Sequence, residues 1–136
     1  MDKDTYDIRT RNGAEVRVCG RFKPNGSSAI TNTLGSTIFG AGFSVARSTT
    51  GVFALTIKGL FGALLHGTFT LWTSTITDGG QFRIVSVAES GGNTIVTITH
   101  FGEDAGGLMA IEDIAAASDN FISFDLTFDN RKGTRR

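Results

Sequence analysis

The stretch at 42–58, GFSVARSTTGVFALTIK, restricts the fold more than any other part of the chain. It holds two runs, 43–47 and 52–58, in which apolar and polar residues alternate. In the second run Phe53, Leu55 and Ile57 point one way, and Val52, Ala54 and Thr56 point the other. A period of two is what a pleated strand with one buried face produces. The residues between the runs, Ser48, Thr49, Thr50 and Gly51, are turn formers. Gly51 accepts the positive φ that ends a hairpin loop built around a type I turn. The stretch predicts a β-hairpin.

The same alternation recurs along the chain. At 14–23, Val16, Val18, Gly20 and Phe22 face one side, with Arg17, Cys19 and Arg21 on the other; Pro24-Asn25-Gly26 then stops the strand. At 68–77, Phe69 and Leu71 oppose Trp72, so both faces carry something large, and Trp72 either covers a sandwich edge or lies in a contact between subunits. At 81–89, Phe82, Ile84, Ser86 and Ala88 oppose Arg83, Val85 and Val87. A tight turn at Ser90-Gly91-Gly92-Asn93 leads to a strand at 94–101. The last strand, 120–130, turns Ile122, Phe124, Leu126 and Phe128 to the core. Two segments break the pattern. The apolar connection at 60–65 reads as one helical turn capping an end of the fold, or as an exposed patch awaiting a partner. The glycine-rich segment 102–118 reads as loop with at most a turn or two of helix. The expected fold is all-β: an antiparallel two-sheet sandwich of about seven strands, jelly-roll or immunoglobulin-like, at 14–130. An N-terminal arm, 1–13, precedes it and a basic tail, 131–136, follows.

At 136 residues, one domain of this kind buries enough surface to fold without staples. Cys19 is the single cysteine, so no internal disulfide is available, and its place in a strand marks it as structural. No positively charged segment followed by an apolar run opens the chain, and no apolar stretch is long enough to span a membrane; neither a secretory signal nor a membrane partner is expected. Formal charge is zero but unevenly placed. Residues 51–130 carry two basic and nine acidic side chains, and Arg131, Lys132, Arg135 and Arg136 crowd the tail. A basic tail suits an acidic protein surface as well as nucleic acid. Without further basic stretches or stacking aromatics beside it, no nucleic-acid partner is expected.

The polar residues do not spell a catalytic centre. His66 and His100 stand outside any HxH or HExxH spacing, so neither marks a zinc site. The acid pairs Glu103-Asp104 and Glu112-Asp113 meet the minimum for glycoside hydrolysis but lie in a glycine-rich loop, where neighbouring acids are solvated. No DxDxDG loop suggests calcium, and no GxSxG suggests an esterase. Gly40-Ala41-Gly42 precedes a strand rather than a helix, which removes the dipole a phosphate site requires. The chain is expected to be non-enzymatic and to carry no cofactor and no metal.

Two segments resemble a known family. GFSVARSTTGVFALTI is similar to the GxGFSVxRxxTGxYxVTF-type hairpin of small structural proteins of tailed bacteriophages. DIAAASDNFISFDLTFDNR is similar to their closing strand, in which an AxD stretch precedes F-x-L-x-F-x-N. The resemblance implies a virion protein, most often a capsid decoration (cement) protein made in the host cytoplasm and carried on the capsid exterior. It implies a homo-oligomer, commonly a trimer, whose partner is the major capsid protein. Under that reading Tyr6, Leu60, Phe61, Leu64, Leu65, Trp72 and Phe121 are candidates for the subunit interface. Arg9, Arg11, Arg131, Lys132, Arg135 and Arg136 are candidates for the capsid contact. The alternative in the same setting is a head-fibre or tail-fibre module that binds a host-surface glycan or receptor, with Trp72 or Tyr6 exposed beside polar side chains. The chain departs from the family by the apolar insert at 60–65 and by its basic tail.

Overall fold

The alternating runs form ten strands in a computed structural model that describes residues 15–73, 80–103, 106–117 and 119–129, and the backbone of 9–11. They are β1 (Arg9–Arg11), β2 (Glu15–Phe22), β3 (Ile38–Phe39), β4 (Phe43–Thr49), β5 (Val52–Lys58), β6 (Leu64–Trp72), β7 (Gln81–Ser90), β8 (Asn93–Glu103), β9 (Met109–Ile111) and β10 (Phe121–Asp129). Seven are seven residues or longer, the number the alternation predicts; β1, β3 and β9 are short additions. All pair antiparallel, in two sheets. The first runs β1-β2-β10-β6, with β3 beside β1 along β2. The second runs β4-β5-β8-β7, with β9 following β5 along β8. An immunoglobulin order would set the first two long strands side by side. Here the first long strand, β2, pairs with the last, β10, and β5–β8 is nested inside that pair. The two sheets form the antiparallel sandwich that the alternation predicts.

The core lies between the sheets and combines aliphatic side chains with paired phenylalanines. Phe22 meets Phe53 at 5.8 Å between ring centroids, Phe43 meets Phe124 edge-on at 5.1 Å, and Phe61 meets Phe128 at 5.0 Å. Tilted and edge-to-face pairs at these separations add to the area they bury, because ring edges are positive and faces negative. The inward set of β10, Ile122, Phe124, Leu126 and Phe128, is the one its alternation predicts, and all four are buried. On β6, Phe69 and Leu71 pack against this core and Trp72 points outward, which settles the strand's orientation.

Four expectations are corrected. The connection at 60–65 makes no helical turn: Leu64 and Leu65 already belong to β6. Phe61, named above as an interface candidate, is 3% exposed and stacks on Phe128, so the core consumes it. The segment at 102–118 is not all loop: β8 runs on to Glu103, and Met109–Ile111 lies along it as β9. On β7 the faces exchange half-way, because a bulge between Ile84 and Ser86 inserts one residue. Ile84 stands opposite buried Ile98, and beyond the bulge Val87, not Ser86, stands opposite buried Val96. At the N-terminus, Arg9 and Arg11 belong to β1, tied to β2 by the registers Arg9↔Val18 and Arg11↔Val16. Tyr6, Arg131, Lys132, Arg135 and Arg136 lie outside the described residues.

The outer edge of β4 is closed by a side chain. Asn32 accepts from the Val45 N–H through Oδ1 at 2.8 Å and donates Nδ2–H to the Val45 carbonyl at 2.9 Å. One amide thereby copies a ladder pair and occupies an edge that would otherwise template another strand. Asn32→Ala should lower stability by about 1 kcal/mol, since water replaces part of what is lost. It should also raise light scattering on heating, from the freed edge. Urea midpoints and scattering during a thermal ramp check both.

Candidate interaction surfaces

Among the described residues, His100, Asp113 and Asp125 are engaged by neighbouring groups. His100 is buried with both ring nitrogens engaged: Nδ1–H donates to the Glu112 carbonyl at 2.8 Å, and Nε2 accepts the Gly80 N–H at 3.1 Å. Those partners hold the ring's orientation, tilted 5.3 Å from the ring of Phe82. His66 sits exposed on the outer face of β6. Asp113 receives both arms of Arg47 at 2.9 Å and the Gly51 N–H at 2.8 Å. The Arg47 hydrogen bonds hold its carboxyl below the usual carboxylate range, against the opposing effect of burial and with help from Gly51. The Glu112 side chain lies across Gly102. Asp125 is likewise held low by its hydrogen bonds to Arg17, at 3.0 and 2.6 Å on the outer face of the first sheet. Among the described residues no three metal-ligating side chains come together, and no helix is long and apolar enough to cross a membrane.

What the fold presents instead is surface, in three places. The first is a cleft of about 720 Å³ between the 61–64 connection and the second half of β7. Ala63, Leu64, Ile84, Val85 and Val87 give it apolar walls. Its origin is the β7 bulge, which turns Val87 to the inner side where the opposite sheet does not cover it, leaving it 40% exposed. Val85 in its wall is 57% exposed; Leu65, the residue after Leu64 on β6, is 54% exposed, and Leu60 is half-buried. The second is β9, with Leu108, Met109 and Ile111 all at least half exposed. Along β8 the two places are far apart: the cleft reaches Thr94 on the β7 side, and β9 sits on 101–103 on the β5 side.

The third is the outer face of the first sheet. Register sets Trp72 opposite Phe121, Arg21 opposite Ser123, and Arg21 opposite Phe39. Phe39 and Phe121 meet edge-on at 5.7 Å. The Arg21 guanidinium lies 4.7 Å from the Phe39 centroid and 4.4 Å from that of Phe121, and the Lys23 ammonium 5.3 Å from Phe121. Trp72 is 60% exposed. Of this group the sequence singles out Trp72 and Phe121 and misses Arg21, Lys23 and Phe39. Alternation puts Arg21 outward, but nothing in one strand's pattern tells which strand will lie beside it.

Because Trp72 is so exposed, Trp72→Ser should change stability by less than about 1 kcal/mol, the scale of one cross-strand aromatic pair. As the single tryptophan, it should also emit at the red end of the range and be quenched readily by acrylamide. Thermal melting of the variant and a quenching titration of the parent check the two statements.

Comparison with protein-family models, with characterised proteins and with solved structures finds no match to this chain.

Proposed function

We propose that this chain is a non-enzymatic structural protein of a tailed-bacteriophage virion, a decoration or cement protein that binds the outer capsid surface and stabilises the shell. The observation that supports this is the pair of separate apolar surfaces on the second sheet: the cleft beside β7, and β9 at the other end of β8. In a closed cyclic oligomer each subunit uses two different patches, one for each neighbour. A homotrimer joined through these two surfaces leaves the outer face of the first sheet for the major capsid protein. Leu60, Leu64 and Leu65 then serve the subunit contact, and Trp72 and Phe121 the shell. The basic tail adds charge to the shell contact.

The test is copy number in purified particles, by quantitative mass spectrometry against the major capsid protein, with the solution mass of the free protein beside it. A count comparable to the capsid subunit and a trimeric mass are expected. Absence from the particle overturns the reading. A handful of copies per particle favours a second reading, a head-fibre or tail-fibre module for a host-surface glycan. The observation on its side is exposed Trp72 beside the hydroxyls of Thr70 and Ser123.

A further inference from the structure

We infer that the outer face of the first sheet, at the end where Arg21, Lys23, Phe39, Phe121 and Trp72 meet, docks an acidic, extended protein segment. The inference deepens the surface-binding reading above and rests on it.

Charge supplies the first argument. Two cations stand here, and among the described residues neither has a carboxylate partner. The other basic side chains described in ion pairs are matched: Arg17 by Asp125 and Arg47 by Asp113. On a chain whose 51–130 region carries nine acids, leaving Arg21 and Lys23 together and unmatched marks the place where an outside carboxylate gains most.

Preorganisation supplies the second. A free arginine on a strand samples many rotamers, and binding must freeze them. Arg21 is already held between two rings, and Lys23 lies over one of them. A guanidinium stacked on an aromatic face keeps a planar fork of N–H donors that matches a carboxylate. The third argument is the anchor. Trp72 stands next to Phe121 across the β6–β10 ladder with most of its ring in solvent. Tryptophan and arginine, here on either side of Phe121, are the residue types that dominate protein contacts, an apolar body to bury and a charge to pair. The flanking positions, Thr70 and Ser123, are short and uncharged, so an extended backbone can approach the sheet.

Trp72 is the single tryptophan, so its emission reports occupancy of this face in the intact chain. Titration with poly-L-glutamate should shift that emission saturably, and the apparent affinity should fall as salt rises from about 50 mM to about 500 mM. The double variant R21E/K23E should weaken binding by at least ~10-fold, while R83E, an exposed arginine on the other sheet, should change it by less than ~3-fold. A chain ending at Asn130 should keep the Trp72 response. Three results overturn the proposal: R21E/K23E binding within ~3-fold of the parent; loss of the response on removing residues 131–136; or polysialic acid binding as tightly as poly-L-glutamate, which would make the face an acidic-glycan site. The outcome is independent of particle copy number. Failure here leaves the virion reading standing with another docking face, and a zero copy number leaves this binding result intact.

Discussion

Gly51→Ala is expected to lower the stability of the fold by about 2–4 kcal/mol, from two penalties that fall on the same atom. The backbone at Gly51 has φ of +67°. A Cβ there costs about 1–2 kcal/mol before any neighbour is considered, because it crowds the following carbonyl. The neighbours then add to it. That Cβ would stand 2.7 Å from the Glu112 carbonyl oxygen, 2.8 Å from Ile111 Cγ2 and 3.0 Å from the Glu112 nitrogen. Two of the three are backbone atoms, which no rotamer change can move aside. Nor can the turn retreat freely: the Gly51 N–H donates to Asp113, and its carbonyl accepts the His100 N–H at 2.7 Å. Gly91→Ala is the matched control. Its φ is +59°, but nothing lies within 4 Å of the added carbon, so it should show the conformational penalty alone, about 1–2 kcal/mol. Urea unfolding at pH 7 measures both. Equal losses would mean that the closeness of the hairpin tip to 111–112 contributes nothing.

That one residue shows how far the sequence is legible. The need for a left-handed residue at the end of Ser48-Thr49-Thr50-Gly51 is local, so it is readable, and φ at Gly51 agrees. What lies against the turn is not local. The segment that touches it is 111–113, sixty residues on, and its strand β9 is three residues long. Alternation needs more positions than that to be seen above chance, and the same holds for β1 and β3. The β7 bulge fails for another reason. One inserted residue leaves composition and strand propensity untouched while exchanging the faces, so Val87 moves to the side that the plain alternation gives to Ser86. Phe61 sits in a connection, where no period assigns a face, and only its contact with Phe128 shows it to be core.

The surfaces divide in the same way. Trp72 and Phe121 are legible as outward residues because each lies in a long alternating strand. Their adjacency is not legible, since it depends on β10 lying between β2 and β6. The cleft beside β7 follows from the bulge and inherits its invisibility. A polar cluster can hide in the same manner: Arg47 and Gly51 of the hairpin, His100 of β8, and Glu112 and Asp113 come from three separate segments, and only the pairing of β5 with β8 and the return of the chain after β9 bring them together.

The stability carried by that cluster should depend on pH, with a sign set by Asp113. Its folded-state pKa lies below the ordinary value, first because Arg47 hydrogen-bonds the ionised form. The unfolded chain titrates this group near about 3.9. A depressed folded value means that the unfolded state binds the proton more readily, so acid favours unfolding. The contribution is therefore fully present above about pH 4 and is lost as pH falls through the folded pKa. Asp113→Ala should lower stability at pH 7 by about 1–3 kcal/mol, chiefly by leaving the buried Gly51 amide without its acceptor. The gap between parent and variant should then narrow as pH is taken below about 4, where the parent loses the charged form as well. Salt separates this pair from the exposed one. Arg47 and Asp113 are 17% and 19% exposed at their side chains, against 59% and 39% for Arg17 and Asp125. The penalty of Asp113→Ala should therefore persist in about 0.5 M salt, while that of Asp125→Ala should shrink. A gap for Asp113→Ala that stays constant from pH 7 to pH 3 would show that the aspartate acts there through geometry alone, with no part for its charge.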